Sequence, residues 1–293
     1  MQSKEIYKRD FSDLLSKFEE VCGWFDDLGF RFAITRYGIY HKNLKNLNEL
    51  SSGKNVFKDA SNESLVSIMK EMMNSHVEAN EIIRIYNDFK GIDSQEYIEQ
   101  VKKVITGQEF RATSESDPAR DFLFELSIAA RFMRAGFRVS LKGICDVEVK
   151  LPDGRSLFVE CKRVKSLKKL SKNIKVANQQ IVRRIKDSSS LKNIGMVAVN
   201  VTDLLSKSSS IVSEDPKMTT SEHRALLRNF ILKNLESFNA GGNKKCIGVL
   251  CESSISNLVP GGLIYSRHIT NVRYENDDLF ERLMPQLSNQ DIV

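Results

Sequence analysis

Residues 144–164 read ICDVEVKLPDGRSLFVECKRV. Two β-prone runs, ICDVEVKL (144–151) and SLFVECKRV (156–164), flank Pro152-Asp153-Gly154, and this tripeptide decides how they meet. Proline is preset for the first corner of a type I turn, aspartate suits the second, and glycine takes the left-handed position that follows. Together they make a three-residue hairpin loop with a glycine bulge. If Leu151 faces Arg155, then Asp146 faces Glu160 and Ile144 faces Lys162. Side chains alternate along a strand, so Asp146, Glu160 and Lys162 share one face. A two-residue loop would slip the register by one and send the two acids to opposite faces. Facing residues of a hairpin hold their Cβ atoms roughly 5 Å apart. Two carboxylates at that range repel, and a divalent cation that takes oxygen ligands neutralises them. A lysine one step along the same face can hold a water or a phosphate oxygen.

The elements around the hairpin follow from periodicity. Upstream, Asp117-Pro118 reads as a cap followed by proline at the first helical position, and the helix ARDFLFELSIAARFMRA stops at Gly136. Phe122, Leu126, Ala129 and Met133 make its inner face, and Glu125 sits on the flank of that stripe. FRVSL (137–141) reads as another strand. Downstream, a helix over 166–187 buries Ile174, Ala177, Ile181 and Ile185. Lys168, Lys172, Lys175, Gln179, Arg183 and Lys186 occupy an arc of about 80° on it. IGMVAVNV (194–201) reads as a buried strand and 206–221 as a mobile, serine-rich loop. A helix over 221–238 and strands near 246–251 and 262–266 follow. The order predicts an α/β core with a mixed sheet, occupying 109–293.

Residues 1–108 read as a separate all-α domain. Phe11, Leu14, Leu15, Phe18, Val21, Cys22 and Phe25 recur at helical spacing. So do Leu65, Ile68, Met69, Met72, Met73, Ile82 and Tyr86 within 62–89. A third helix over 94–106 is capped by Asp93 or Ser94. His76 falls on the second stripe, which makes it a packed core histidine, and the methionines beside it are core filler or a partner-facing surface. This domain is assigned to a homodimer contact or a protein partner.

Charge and cysteine usage narrow the function classes. The net charge is +6, yet Lys162 to Lys192 alone carries eleven Lys/Arg against one acid, Asp187, more than the whole excess. Such a block suits a polyanion, above all nucleic acid; the bland alternative is a solvated helix face. The five cysteines form no CxxC pair and the four histidines stand singly, so no zinc site is spelled out and the thiols read as reduced and buried. No apolar run approaches the roughly 18 residues that span a bilayer. MQSKEIYKRDFSD lacks the apolar centre of a signal peptide, so the expected setting is the cytoplasm, without membrane.

The chain contains four [DE]xK tripeptides: Asp88-Phe89-Lys90, Glu148-Val149-Lys150, Glu160-Cys161-Lys162 and Asp215-Pro216-Lys217. Only Glu160-Cys161-Lys162 has an upstream acid across a hairpin and a helix on each side. At these residues the chain resembles the PD-(D/E)XK nuclease superfamily over about 115–202, with Asp146 in ICDVEVK and Glu160-Cys161-Lys162 in LFVECKRV as the matches. Glu125 in LFELSIAARF matches the glutamate many members carry on the preceding helix. Gln179 or Gln180 in VANQQIVRRI resembles a glutamine some subgroups place on the following one. The resemblance implies a restriction-endonuclease-like mixed sheet flanked by helices and Mg2+- or Mn2+-assisted phosphodiester hydrolysis, and we favour DNA over RNA as the substrate. Asp146, Glu160 and the backbone carbonyl of Cys161 would hold metal, with Glu125 completing the site directly or through water. Lys162 would activate the attacking water and stabilise the transition state. Lys168, Lys172, Lys175, Gln179, Gln180, Arg183 and Lys186 are the nucleic-acid contacts expected on the following helix. The Cys161 side chain is expected on the opposite face, in packing. Two alternatives stand beside an endonuclease: an inactive nucleic-acid-binding or scaffolding protein on the same fold, and a toxin or defence effector.

Overall fold

The computed structural model describes residues 6–7, 10–54, 61–92, 94–107, 117–205, 216–259, 262–274, 278–288 and 290. In the N-terminal half, α1 (Phe11–Asp27) starts where the Asp10 carboxylate accepts the Ser12 N–H at 2.9 Å. It buries Leu14, Phe18, Val21, Cys22 and Phe25, the stripe read from the sequence. Three more helices follow: α2 (Arg36–Ser51), α3 (Asn62–Phe89) and α4 (Gln95–Ile105), the last with Ser94 at its cap position. Asp93, the alternative cap, lies outside the described residues.

The following half alternates helix and strand. Helix α5 (Pro118–Arg134) is capped by Asp117 and ends before Gly136, which takes the left-handed φ of 84°. Then come β2 (Arg138–Ser140), β3 (Val147–Lys150), β4 (Ser156–Arg163), α6 (Leu167–Asp187) and β5 (Ile194–Asn200). After the short α7 (Thr202–Leu205) come α8 (Pro216–Lys233), α9 (Leu235–Phe238), β6 (Cys246–Val259), β7 (Gly262–Arg273) and α10 (Asp278–Ser288). A two-residue β1 (Ile6–Tyr7) adds to the edge of β7, giving the order β1-β7-β6-β5-β4-β3-β2. The β4/β5 and β5/β6 pairs are parallel and the others antiparallel, so the sheet is mixed, as the element order predicts.

Two successive crossovers, β4-α6-β5 and β5-α8-α9-β6, step the same way across the sheet, and a shared hand places their helices on one face. There Ile174, Ala177, Ile181, Leu227, Ile231 and Phe238 pack against Phe158, Val197, Val199 and Val249. The opposite face is covered by α5, α10 and the N-terminal helices, whose apolar side chains join Val147, Val159, Cys161 and Ala198 in one continuous core. The boundary placed between residues 108 and 109 lies outside the described residues.

Buried charges tie the N-terminal helices to the rest. Arg120 on α5 donates to Glu78 on α3 at 2.8 Å and also pairs with Asp117, and all three side chains are buried. Ser254 on β6 donates to Glu81 on α3 at 2.6 Å, and Arg267 on β7 pairs with Glu252 on β6.

Three readings shift in extent. Residues 216–221, read as loop, belong to α8, whose first position is proline; residues 206–215 lie outside the described residues. The last two strands are about twice as long as their apolar runs. Helices α2 and α10 carried no assignment of their own, and strand β1 departs from the all-α reading of residues 1–108.

Candidate functional site

The hairpin has the register its turn specifies. Val147 pairs with Val159, Glu148 with Phe158, Val149 with Leu157 and Lys150 with Ser156. The Leu151 N–H donates to the Arg155 carbonyl at 2.9 Å and the Gly154 N–H to the Leu151 carbonyl at 3.0 Å. Gly154 stands at φ 85°, the left-handed position the loop requires.

The ladder nevertheless ends at Val147, earlier than the sequence suggests. Residues 141–146 form bends, and Ile144 is exposed and does not face Lys162. Hydrogen-bonded pairs alternate in an antiparallel ladder, so the bond after Val147–Val159 would run from the Cys161 N–H to the Cys145 carbonyl. The Asp146 carboxylate takes that place, accepting the Cys161 N–H at 2.7 Å. Asp146 is thereby fixed beside β4 by its own side chain, at the point where β3 no longer covers the Cys161 carbonyl.

Glu160 and Lys162 share the α6-facing side of β4. The Glu160 carboxylate is completely buried, with Lys162 Nζ 3.7 Å from Oε2 and Arg184 Nε donating to Oε1 at 3.2 Å. Burial raises its pKa, Asp146 adds to the rise, and Lys162 and Arg184 pull the other way without cancelling it. Oε2 has no hydrogen-bond partner. Glu125, half-buried on α5, reaches the same region from the other layer. Its carboxyl is pushed up to about 8, by burial first and then by Asp146 and Asp121, against the pull of Lys162 and Lys103. Cys161 points to the α5 side and is packed in the core there, with burial raising its thiol well above the usual range.

The following helix divides into two populations. Lys168, Lys172, Lys175, Gln179, Arg183 and Lys186 are exposed, on the side of α6 turned away from the sheet. They are not gathered around the acids. Gln180 is half-buried with an Oε1 that finds no partner, so of the two glutamines it is the one turned inward. Arg184, one turn further along the same flank, makes the hydrogen bond and ion pair from α6 to Glu160. It is the last turns of α6, and not its lysine-rich start, that pass Glu160. A helix joining two parallel strands must run back along them, so its C-terminal turns lie level with the body of β4.

The sequence reading passed over Arg184, although a signal existed. At 100° per residue it falls about 20° from Ala177, on the flank of the apolar stripe and far from the basic arc. A lone arginine there implies a partner beneath the helix.

The donors at this point are hard oxygens: Asp146, Glu160, the carbonyl of Cys161 and, from α5, Glu125. Such a set fits Mg2+ or Mn2+, which bind through one or two carboxylates and complete their shell with water and phosphate. The buried Oε2 of Glu160, with no hydrogen bond and only the 3.7 Å pair to Lys162, is the oxygen least satisfied by the protein. Among the described residues no three acidic, imidazole or thiol side chains are gathered as a ready-made cage. Three of the four histidines are buried, His76 against Ser256, His223 between Ser253 and Ser266, and His268 beside His223, while His41 pairs with Glu19 at 3.0 Å. All five cysteines are free and buried, and among the described residues no helix is long and apolar enough to cross a membrane. Comparison with protein-family models, with curated proteins and with solved structures finds no match to this chain.

Proposed function

We propose that the chain is a metal-dependent phosphodiesterase, a nuclease acting on DNA, with its reaction centre at Asp146, Glu160 and Lys162. The observation that carries this reading is the buried Glu160 carboxylate, which leaves one oxygen without a hydrogen bond between Lys162 and the Asp146 end of the hairpin. Burial makes such an acid costly, and Lys162 at 3.7 Å and Arg184 at 3.2 Å still leave Oε2 without a donor, a gap a divalent cation would fill. Asp146, Glu160 and the Cys161 carbonyl would hold Mg2+ or Mn2+, with Glu125 completing the set directly or through water. The ion supplies Lewis acidity toward a phosphoryl oxygen and a more acidic water.

The protein's own groups do the rest. The Lys162 ammonium, partly open to solvent, is placed to offset the charge that grows on the phosphoryl oxygens. The Asp146–Cys161 hydrogen bond fixes the angle between the end of the hairpin and β4, so the acids do not depend on a flexible loop for their spacing. The exposed basic arc of α6 contributes a positive field and salt-dependent contacts to the polymer backbone.

Incubation with linear, circular and single-stranded DNA and with RNA, in Mg2+, Mn2+ or EDTA, tests this directly. Cleavage is expected with either metal, absent in EDTA, and lost in Lys162→Ala and Asp146→Ala. Metal-dependent cleavage that survives both substitutions refutes the site. Failure of the unaltered protein to cleave any of these substrates points instead to a binding protein on this fold.

A further inference from the structure

Arg184 has a chemistry that the reaction centre as described does not use. Its Nε donates to the buried Glu160 carboxylate at 3.2 Å, while its side chain keeps 36% of its surface in water. Its two Nη groups donate no hydrogen bond to any described residue, and Glu160 is its one ion-pair partner among them. It comes from α6, whereas Glu160's other cation, Lys162, belongs to β4 itself. Glu160 is wholly buried, and these two cations, at 3.2 Å from one oxygen and 3.7 Å from the other, hold its carboxylate in place.

We propose that Arg184 is an exchangeable counter-ion: it occupies Glu160 in the metal-free protein, and a divalent cation displaces it toward a phosphate of the nucleic acid. This rests on the nuclease reading above and deepens it. Three features support exchange over a fixed bridge. A divalent ion beside Glu160 makes the Arg184 pairing redundant and repels the guanidinium. The side chain is open enough to move, unlike the wholly buried Arg84, Arg120 and Arg267. Its planar fork suits bidentate pairing with a phosphate once it leaves the carboxylate. Arg184 is thus a positioning residue without metal and a phosphate ligand with it, so metal loading and polymer binding reinforce each other.

Arg184→Gln and Arg184→Lys test the exchange, glutamine keeping a donor for Glu160 while removing the charge. Calorimetric titration of the nucleic-acid-free protein with MnCl2 at pH 8 is expected to show Arg184→Gln binding at least about fivefold tighter than the unaltered protein, since one competing charge beside a divalent ion is gone. Arg184→Lys is expected to stay near the unaltered affinity. The same variants then bind a labelled DNA duplex over a salt series. In EDTA, Arg184→Gln should match the unaltered protein; with Ca2+, its log–log salt slope should be shallower by about one. Equal or weaker Mn2+ binding by Arg184→Gln, or a slope change already present in EDTA, overturns the exchange and leaves the metal reading intact. If the unaltered protein binds Mn2+ no better than Glu160→Gln does, the metal reading falls and this inference with it.

Discussion

Lowering the pH should loosen the N-terminal helices from the sheet through His76, by an amount the structure specifies. His76 lies on α3, its Nδ1 2.9 Å from Ser256 Oγ on β6 and its ring edge-on to Phe11 of α1. Burial alone moves its pKa from the ordinary 6.5 down to about 3. In the unfolded chain the imidazole takes up a proton as pH falls below 6.5; in the folded chain it stays neutral until about 3. The unfolded state therefore binds more protons across this window, so stability is complete above pH 6.5 and declines as pH falls toward 3. At 1.36 kcal/mol per unit, the loss is negligible at pH 7.5 and about 2 kcal/mol at pH 5. His76→Asn keeps a hydrogen-bonding group near Ser256 and cannot be charged. It should be less stable than the unaltered protein at pH 7.5, through lost packing. That gap should narrow by about 2 kcal/mol at pH 5. Urea unfolding of both proteins at the two pH values gives the double difference, in which the titration of His223 and the carboxylates cancels. A difference that does not change with pH would refute the assignment of His76 as a neutral, buried imidazole.

Gly154→Ala meets no atom within 4 Å of the added Cβ, so its cost is the left-handed backbone alone, about 1–2 kcal/mol. Urea unfolding should show that loss, and a neutral result would mean the loop abandons the glycine bulge. Arg120→Met removes the hydrogen-bonded cation of the buried Glu78 and Asp117, leaving Glu78 only its 3.8 Å pair with Arg36, and should cost about 3–5 kcal/mol, the usual measure for a broken buried pair. A loss under about 1 kcal/mol would show that water reaches the pair. Replacing Lys168, Lys172 and Lys175 together by glutamine should make the salt slope of DNA binding shallower by about three. An unchanged slope would leave the arc as a solvated helix face.

The parts of the fold that could be read from the sequence are those whose cause is local. Pro152-Asp153-Gly154 sets a register within its own few residues, and β3 and β4 follow it. Asp117-Pro118 and Gly136 bracket α5 by capping chemistry that needs no tertiary partner. The early end of β3 was hidden for the opposite reason: a carboxylate, Asp146, replaces a backbone carbonyl in the ladder, and strand propensity does not register such an exchange. Strands β6 and β7 were truncated at their polar residues because a run of Glu252, Ser253, Ser254, Ser256 and Asn257 reads as exposed. All five are buried. Glu252 is met by Arg131 and Arg267, Ser254 by Glu81 and Ser256 by His76. Their partners on α3 and α5 lie between 121 and 180 residues away along the chain, so no window of sequence contains both halves of the pairing.

The same limit governs the candidate site. Asp146, Glu160 and Lys162 are brought together by a turn, and a turn is legible. Arg184 is brought to Glu160 by the height at which a crossover helix passes a strand, which depends on the length of the link after β4 and on the packing of Ile181 against Gly195. At Gly195 even a β-carbon would lie 2.1 Å from an Ile181 methyl, so the helix sits as close to the sheet as glycine permits. That close approach brings the flank of α6 down onto β4, within reach of a carboxylate wholly buried from solvent. A larger residue at 195 would lift the helix and should weaken the Arg184–Glu160 pair before it disturbs the hairpin. The site is thus a local device, the hairpin, joined to a non-local one, the seating of α6, and only the first is written in consecutive residues.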